Sequence, residues 1–282
     1  MLADCPMGLY EKALPPAEWP VLLSQARDLG FDFVEMSIDE SEERLARLKW
    51  STAQRQKLVE AVLHTGMRIP SICLSGNRRY PLGSNDPKLC AAGIELVRDA
   101  VDFAVDVGVR IVMIAGYDVY YEESTPETKE RFRENLGHLV RYAAGRGVTL
   151  SVEIMDTQFM SSISRFLHLR ERIQSPWLTV YPDLGNLSGW NENAAEELEL
   201  GLRLGVVSAV HLKDTRPVAC DSPGQFRDLP FGEGCVDFPR LFRVLERYGF
   251  AGQLVLEMWY HGEDETQSIA EAKAWIERKL KA

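Results

Sequence analysis

Short apolar runs alternate with longer segments of helical periodicity along the whole chain. An apolar run of roughly four to eight residues between turn residues indicates a buried strand, whereas apolar residues three and four apart indicate a helix. The strand-like runs are MGLYEKAL, FDFVEMSI, RIPSICLS, VRIVMIAG, VTLSVEI, LTVYPDLGN, VVSAVHLKD and QLVLEMW. Helices are predicted over residues 18–29, 52–65, 87–107, 126 to 145 or 147, 161–173, 193–204, 237–249 and 264–280.

A strand followed by a helix recurs eight times, with no linker, low-complexity tract or change of composition between the units. Such alternation indicates a parallel sheet, and 282 residues suit a closed (β/α)8 barrel, which typically takes ~250. We therefore expect an α/β protein with one domain over residues 1–282, a single TIM barrel. An open doubly wound sheet is the alternative, but the glycine-rich first turn of a dinucleotide-binding sheet is missing.

Four of the strand-like runs in the second half of the chain end in a group that can coordinate a metal. These groups are Glu153, Asp183, His211 and Glu257. In a parallel barrel the carboxyl ends of the strands meet on one face, where active-site residues lie. The sequence therefore predicts one metal site built from residues that are distant in the chain.

The alternation of side chains along these strands supports that prediction. Successive strand residues face opposite sides, so Ser151 and Glu153 share a side that Val152 does not. In the same way His211 shares a side with Ala209, opposite Val210. We expect the polar or small set to face the barrel interior and the aliphatic set to face the helices.

Three carboxylates and one imidazole form a donor set that is mostly oxygen. Such a set favours Mn²⁺ or Mg²⁺, although the histidine leaves Zn²⁺ or Co²⁺ open. A divalent metal of this kind can hold two adjacent substrate oxygens and stabilise an oxyanion, as in the enediolate formed from a hydroxy-ketone. Glu153 and Glu257, on strands five and eight, are the candidate acid-base pair. They would invert the hydroxyl-bearing carbon of such a substrate by exchanging its proton.

Overall charge and cysteine usage narrow the possible partners. Asp and Glu total 42 against 32 for Lys and Arg, and the resulting net charge of −10 disfavours binding to nucleic acid. There is no apolar stretch of about 20 residues that would predict a membrane span. Five widely spaced cysteines indicate a reducing compartment, and no secretory signal is recognisable at the N-terminus, so a cytoplasmic location is expected.

Many segments resemble those of one enzyme family, in the same order along nearly the whole chain. They are GLYEKALP, LGFDFVEMSIDE, RRYPLGS, AGYDVYY, EIMDT, SIS, YPDLGNLS, VHLKDT, PFGEGCVDF and LEMW. The family is that of the L-ribulose-5-phosphate 3-epimerases, also called L-xylulose-5-phosphate 3-epimerases, which belong to the xylose isomerase-like barrels. The resemblance implies one divalent metal on a Glu, Asp, His, Glu quartet, with the two glutamates exchanging the proton at carbon 3.

By this resemblance the quartet falls on Glu153, Asp183, His211 and Glu257. The implied reaction interconverts L-xylulose 5-phosphate and L-ribulose 5-phosphate, in the breakdown of L-ascorbate or related pentoses. The implied partner is thus a ketopentose phosphate, and the implied assembly is a homodimer. Epimerases of free ketoses have a histidine three residues after the metal aspartate, where this chain has Asn186, and an arginine that Arg216 matches only loosely.

Recognition of a phosphate group requires cations or backbone N–H groups. The candidates lie after strands three and seven: Arg78, Arg79, Lys213, Arg216 and the amides of Gly232 and Gly234. Asn186 is a candidate donor to a substrate oxygen. Tyr10 and Glu35, at the ends of the first two strands, are expected to line the pocket.

Other functions remain open. The same metal site could catalyse aldose-ketose isomerisation, in which hydrogen moves between carbons 1 and 2. A barrel without catalytic activity, acting as a binding protein, is an alternative from another class. The related DNA-repair endonucleases need several metals and more histidine ligands than the five scattered histidines of this chain provide.

Overall fold

Eight parallel strands form the centre of the molecule in the computed structural model, which describes residues 2–262 and 266–281. The strands are β1 Met7–Tyr10, β2 Phe33–Ser37, β3 Ser71–Leu74, β4 Ile111–Ala115, β5 Thr149–Glu153, β6 Leu178–Tyr181, β7 Ala209–Leu212 and β8 Gln253–Leu256. Their order is β6-β5-β4-β3-β2-β1-β8-β7, so neighbours in the sheet are neighbours in the chain and β1 pairs with β8. The predicted eight-stranded barrel is confirmed.

The barrel closes between β6 and β7 by single bridges instead of a continuous ladder. Val180 pairs with Val207, and Asp183 pairs with His211. Pro182 has no N–H to donate, but its carbonyl accepts a hydrogen bond from the His211 amide at 2.9 Å. The gap in the regular ladder therefore lies directly beside two of the predicted metal ligands.

Helices surround the strands. They are α1 Trp19–Asp28, α2 Glu42–Ala46, α3 Thr52–Thr65, α4 Pro87–Val107, α5 Pro126–Ala144, α6 Ile163–Arg170, α7 Leu184–Trp190, α8 Ala194–Arg203, α9 Phe238–Arg247 and α10 Thr266–Leu280. The predicted limits of α3 and α4 are confirmed, and the α4 N-cap is Asp86, whose carboxylate accepts from the Lys88 amide at 2.8 Å. Within the described ranges, none of the helices combines the length and apolarity that crossing a bilayer requires.

Two details of the predicted element order are wrong. The first strand ends at Tyr10, and a 3-10 turn follows at Glu11–Ala13 in place of further strand. Helix α7 lies where the sequence suggested only the end of the sixth strand and a connection. Residues 264 and 265 of the last predicted helix lie outside the described residues.

Side chains divide between the inside and the outside of the barrel as their alternation predicts. The interior cluster consists of Tyr10, Phe33, Cys73, Met113, Tyr181, Ala209 and Val255. Val152, Val210 and Leu254 belong to the larger core between the strands and the helices. Gly8 makes room in the interior, because a Cβ there would lie 2.0 Å from the Phe33 ring.

Candidate metal centre

The four predicted ligands meet at the carboxyl end of the barrel. Glu153 is the last residue of β5, His211 lies in β7, and Glu257 directly follows β8. Asp183 is the N-cap of α7, where its Oδ1 accepts from the Asn186 amide at 2.7 Å. Helix α7 therefore holds one oxygen of this carboxylate and leaves the other, Oδ2, facing the cluster.

All four side chains are buried, and one donor atom from each lies within 4.8 Å of all the others. His211 Nδ1 is 3.1 Å from Glu153 Oε1, 3.8 Å from Glu257 Oε1 and 3.9 Å from Asp183 Oδ2. Ligands on opposite sides of a divalent cation are roughly 4 to 5 Å apart, since each metal–ligand bond is about 2.0–2.5 Å. The spacing of the four groups therefore fits one divalent ion.

The hydrogen bonding of the cluster supports the same fit. Asp183 Oδ2 is buried without a hydrogen bond within the described residues, and the Lys213 ammonium lies 3.0 Å from it. One lysine does not balance three buried carboxylates, so the cluster has negative charge left for a divalent cation to offset. In His211 one ring nitrogen, Nε2, is bound to Glu35 below the cluster, so Nδ1, which faces the carboxylates of the cluster, is the atom that would bind a metal.

Lys213 supplies a positive charge next to the four groups. Its Nζ lies 2.9 Å from Glu257 Oε2 and 3.0 Å from Asp183 Oδ2, and its side chain is 9% exposed. Burial alone would lower the pKa of Lys213, but the carboxylates of Asp183 and Glu257 raise it well above its usual range. The lysine is therefore a permanent cation that offsets part of the negative charge of the cluster.

The three carboxylic acids differ in their pKa values because their surroundings differ. Burial raises the pKa of Glu153 and raises that of Asp183 to about 7, although Lys213 opposes the shift at Asp183. Burial would also raise the pKa of Glu257, but Lys213 and His211 lower it to about 2. At neutral pH Glu257 is thus the strongly ionised member, whereas burial makes both Glu153 and Asp183 bind a proton more readily than a free carboxylic acid does.

Glu35, predicted to line the pocket, lies instead beneath His211 and inside the barrel. It is fully buried, and its Oε2 is 2.6 Å from His211 Nε2. Its Oε1 accepts hydrogen bonds from Ser71 Oγ at 2.7 Å and from the Tyr181 hydroxyl at 2.9 Å. All these contacts are with protein groups below the cluster, so the side chain is placed to act on His211.

A cavity of about 530 Å³ opens above the four groups. Among its lining residues are Glu153, Glu257, Lys213 and two further predicted residues, Tyr10 and Asn186. A volume of roughly 300–1,000 Å³ is typical of small-molecule sites. A second cavity of about 680 Å³ lies next to it under α10 and shares Lys213 and Glu257 with it.

Asn186 is placed to accept a hydrogen bond from a ligand, whereas the sequence suggested a donor. Its side-chain NH₂ donates to the Ile154 carbonyl at 2.9 Å, which fixes the orientation of the amide. Its Oδ1 is buried without a partner among the described residues. A substrate hydroxyl is the natural donor for such an oxygen.

The predicted phosphate-binding groups divide into two sets. Arg78 and Lys213 line the cavity. Arg79 is exposed and paired with Glu42, and the exposed Arg216 is held in a backbone pairing with Gln225, so both lie outside the lining.

The glycine amides proposed for phosphate already have a partner. The N–H groups of Gly232 and Gly234 donate to Asp214 Oδ2 at 2.8 and 3.0 Å. They stabilise the loop before α9 and are not free for a ligand.

Several lining residues were missed by sequence reasoning, among them Lys12, Arg227 and Trp259. Lys12 follows β1 and pairs with Asp39 at 2.7 Å. Arg227 lies over the Trp259 ring, 4.5 Å from its centroid. Trp259 could have been found, since it is two residues after Glu257, but the placement of Arg227 depends on a long loop without periodicity.

Comparisons with known proteins agree with this fold and suggest a family. The model of the family described as xylose isomerase-like TIM barrel matches residues 23–279. The chain is 48% identical over 277 residues to the L-ribulose-5-phosphate 3-epimerase UlaE of Escherichia coli O157:H7 (strain EC4115), covering 98% of this chain and 95% of that protein. It is 49% identical over 276 residues to the putative L-ribulose-5-phosphate 3-epimerase SgbU of Escherichia coli K12, covering 97% and 96%.

A solved structure with much lower sequence identity has the same fold. The D-allulose 3-epimerase of Methylomonas sp., in complex with D-allulose, superposes with a TM-score of 0.78 at 18% identity, covering 98% of this chain and 97% of that one. The eight-stranded barrel is therefore common to this chain and to a protein of quite different sequence.

Proposed function

Because the chain belongs to the xylose isomerase-like TIM-barrel family, and within it to the family of the L-ribulose-5-phosphate 3-epimerases, we propose that it is a metal-dependent 3-epimerase that interconverts L-xylulose 5-phosphate and L-ribulose 5-phosphate. The observation that carries the proposal is the buried cluster of three carboxylates and one imidazole at the floor of a cavity. Such a cluster suits a substrate with a ketone beside a hydroxyl.

The ligands of the metal would be Glu153, Asp183, His211 and Glu257. A divalent ion there, Mn²⁺, Mg²⁺, Zn²⁺ or Co²⁺, would supply a positive charge that stabilises the enediolate as it forms. Lys213, held between two of the carboxylates, adds a second fixed charge on the same side. The protein contributes a preformed site in which these charges need no reorganisation.

The two glutamates would move the proton. In one direction Glu257, ionised at neutral pH, removes the proton from carbon 3, and Glu153 returns a proton to the opposite face. The reverse reaction exchanges these roles. The support is that the pKa values of the two groups are shifted in opposite directions, which is the pattern expected of an acid and a base in one site.

The phosphate would be bound at the cationic side of the cavity. Arg78 lies over the rings of Tyr117 and Tyr120, with 5.4 and 5.5 Å to the ring centroids. It has no carboxylate within ion-pair distance in the described part of the chain, and its Nε is buried without a hydrogen-bond partner. A half-buried guanidinium with an unpaired donor suits an anionic group of the substrate.

Proton exchange in D₂O tests the reaction. Metal-free protein and protein reconstituted with each divalent ion are assayed with both pentulose phosphates, and deuterium incorporation is followed by NMR. We expect exchange at carbon 3, abolished by EDTA and restored by a metal. Exchange at carbon 1 would support the aldose-ketose isomerase instead, and absence of turnover with every metal would support a binding protein.

A substitution of the proposed base is the control for that assay. Glu257→Gln removes the proton acceptor while keeping the shape of the side chain. We expect kcat to fall by roughly 100- to 10,000-fold, the usual contribution of a general base. An unchanged kcat in this variant would exclude Glu257 as the base.

We also propose a homodimer, which the family resemblance implies. Tyr121 is 71% exposed and Tyr120 is 41% exposed, and both lie at the mouth of the cavity, where a second subunit could cover them. Sedimentation equilibrium should give about twice the monomer mass of 31.9 kDa. A mass of one subunit at micromolar concentration would contradict this.

A further inference from the structure

We propose that Glu35 is a positioning residue that fixes the ring of His211 from behind, so that Nδ1 is presented to the metal. This inference rests on the proposed metal site and adds to it a residue that lines no part of the cavity. The contact that carries it is the 2.6 Å approach of Glu35 Oε2 to His211 Nε2.

The two oxygens of Glu35 are used differently. Oε1 accepts from the Ser71 hydroxyl and from the Tyr181 hydroxyl, which fixes the plane of the carboxylate. Oε2 is thereby left for His211. Because a carboxylate only accepts hydrogen bonds, Nε2 carries a hydrogen towards Glu35. Nδ1 faces Glu153 Oε1 at 3.1 Å within the cluster, and it is the nitrogen whose lone pair would bind a metal when the ion is present.

The ring of His211 is also held by packing. The Tyr181 ring meets it edge-on with 4.8 Å between centroids, and the Tyr10 ring lies at 6.3 Å. Tyr181 therefore acts twice, through its ring on His211 and through its hydroxyl on Glu35. Rotation of the imidazole would break the bond to Glu35 and displace this ring.

A purely structural role for Glu35 is the competing explanation. Its side chain joins β2 to β7 across the barrel interior, so its loss could lower stability without any specific effect on the metal. The two roles differ in what they predict for the metal ligand field. Only a positioning role changes how His211 binds the ion when the fold is retained.

Co²⁺ binding tests the positioning role. Purified metal-free wild-type protein, Glu35→Gln and Glu11→Gln are titrated with Co²⁺ by calorimetry, and the visible absorption of each complex is recorded. We expect Glu35→Gln to bind Co²⁺ roughly 10- to 100-fold more weakly, as is usual when the partner of a ligating histidine is lost, with an altered visible spectrum.

Glu11→Gln is the matched control. Glu11 is a buried carboxylate in the turn after β1, bound by Arg44 and Arg47 and remote in its contacts from His211. We expect this variant to lose thermal stability but to keep the wild-type Co²⁺ affinity and spectrum. An equal loss of affinity in both variants would overturn the proposal, because the effect would then come from general destabilisation.

Tyr181→Phe keeps the proposal testable if Glu35→Gln does not fold. It retains the ring and removes one donor to Glu35, so an intermediate loss of affinity is expected. Wild-type affinity and spectrum in a folded Glu35→Gln, or in Tyr181→Phe when only that variant folds, would overturn the inference. A wild-type protein that binds no Co²⁺ would instead refute the metal site on which the proposed function depends.

Discussion

The two oxygens of Asp183 face different surroundings, and this gives the residue an unusual effect on stability. Oδ1 caps α7, while Oδ2 lies in the buried cluster with burial raising the pKa of the acid to about 7. In the unfolded chain an aspartic acid has a pKa of about 3.9. At a pH between these two pKa values, the folded state therefore keeps a proton that the unfolded state has lost.

Metal-free protein should therefore lose stability with increasing pH between about pH 4 and 7 through this residue. Asp183→Asn keeps the capping oxygen and has no proton to lose. We expect its melting temperature, measured without metal from pH 5 to 8, to exceed that of the wild type by an amount that grows up to about pH 7 and then stays constant. A difference independent of pH would contradict the assignment.

Two adjacent arginines provide a test of phosphate recognition. Arg78 lines the cavity, whereas Arg79 is exposed and paired with Glu42. Arg78→Ala should lower kcat/KM for the pentulose phosphates by roughly 10- to 150-fold, the equivalent of about 1.5–3 kcal/mol for a hydrogen bond to a charged group. Steady-state kinetics with the phosphorylated and free ketoses gives the comparison.

The Arg79→Ala variant is the control and should behave as the wild type. For free ketoses the loss in Arg78→Ala should be much smaller, because the anionic group is missing. An equal loss with free and phosphorylated substrates would show that Arg78 acts on the sugar or on the fold instead.

At the level of the elements, helix α7 explains a failure of sequence reasoning. Its seven residues, LGNLSGW, contain two glycines, and Leu184, Leu187 and Trp190 are too few apolar residues over too short a segment to predict a helix. The helix exists because Asp183 caps it and because Gly185 allows it to approach the segment that directly follows β7, features of tertiary packing. Long elements such as α3 and α4 have both periodicity and caps, and the sequence alone was sufficient for them.

The close approach at Gly185 leads to a prediction about activity. A Cβ there would lie 2.7 Å from Thr215 Cγ2 and 2.8 Å from both Lys213 Cγ and the Lys213 carbonyl. Gly185→Ala should destabilise the protein by about 1–3 kcal/mol, as overpacking does, and should reduce kcat by shifting Lys213. Thermal unfolding and steady-state kinetics measure the two effects.

Gly145→Ala serves as the comparison for that variant. Gly145 follows α5 with a helical φ, and a Cβ there would meet its nearest atoms at an ordinary 3.7 Å. This variant should retain stability and full activity. If Gly185→Ala were equally neutral, α7 could move away from β7 without disturbing Lys213.

At the scale of the whole molecule, the sequence predicts the barrel and the four clustered groups for one physical reason. Strand periodicity determines which face each residue occupies, and a parallel barrel brings the carboxyl ends together, so Glu153 and His211 can be placed without coordinates. The positions of Lys12 and Arg227 depend on loop conformations, which the periodicity of apolar and polar residues does not predict. Glu35 was predicted to line the cavity but lies below it, inside the barrel. The alternation of a strand shows which side a residue faces but not how deep in the barrel it lies.

Metal binding should stabilise the entire barrel, because its ligands come from four consecutive units, β5 to β8. An ion that binds only the folded state stabilises it by about 2.7 kcal/mol at 100 times the dissociation constant. In a chain of this length the melting temperature should then rise by roughly 5 °C. Calorimetry of metal-free protein with and without Mn²⁺ measures the shift.

Two variants separate binding at this cluster from binding elsewhere. Glu257→Gln removes one proposed ligand, so its Mn²⁺-dependent shift should shrink at the same ion concentration. Glu11→Gln leaves all four groups intact and should show the wild-type shift from a lower starting temperature, since a buried ion pair is broken. An undiminished shift in Glu257→Gln would locate the ion outside the cluster, and the charge needed to stabilise an enediolate would then have to come from Lys213 alone.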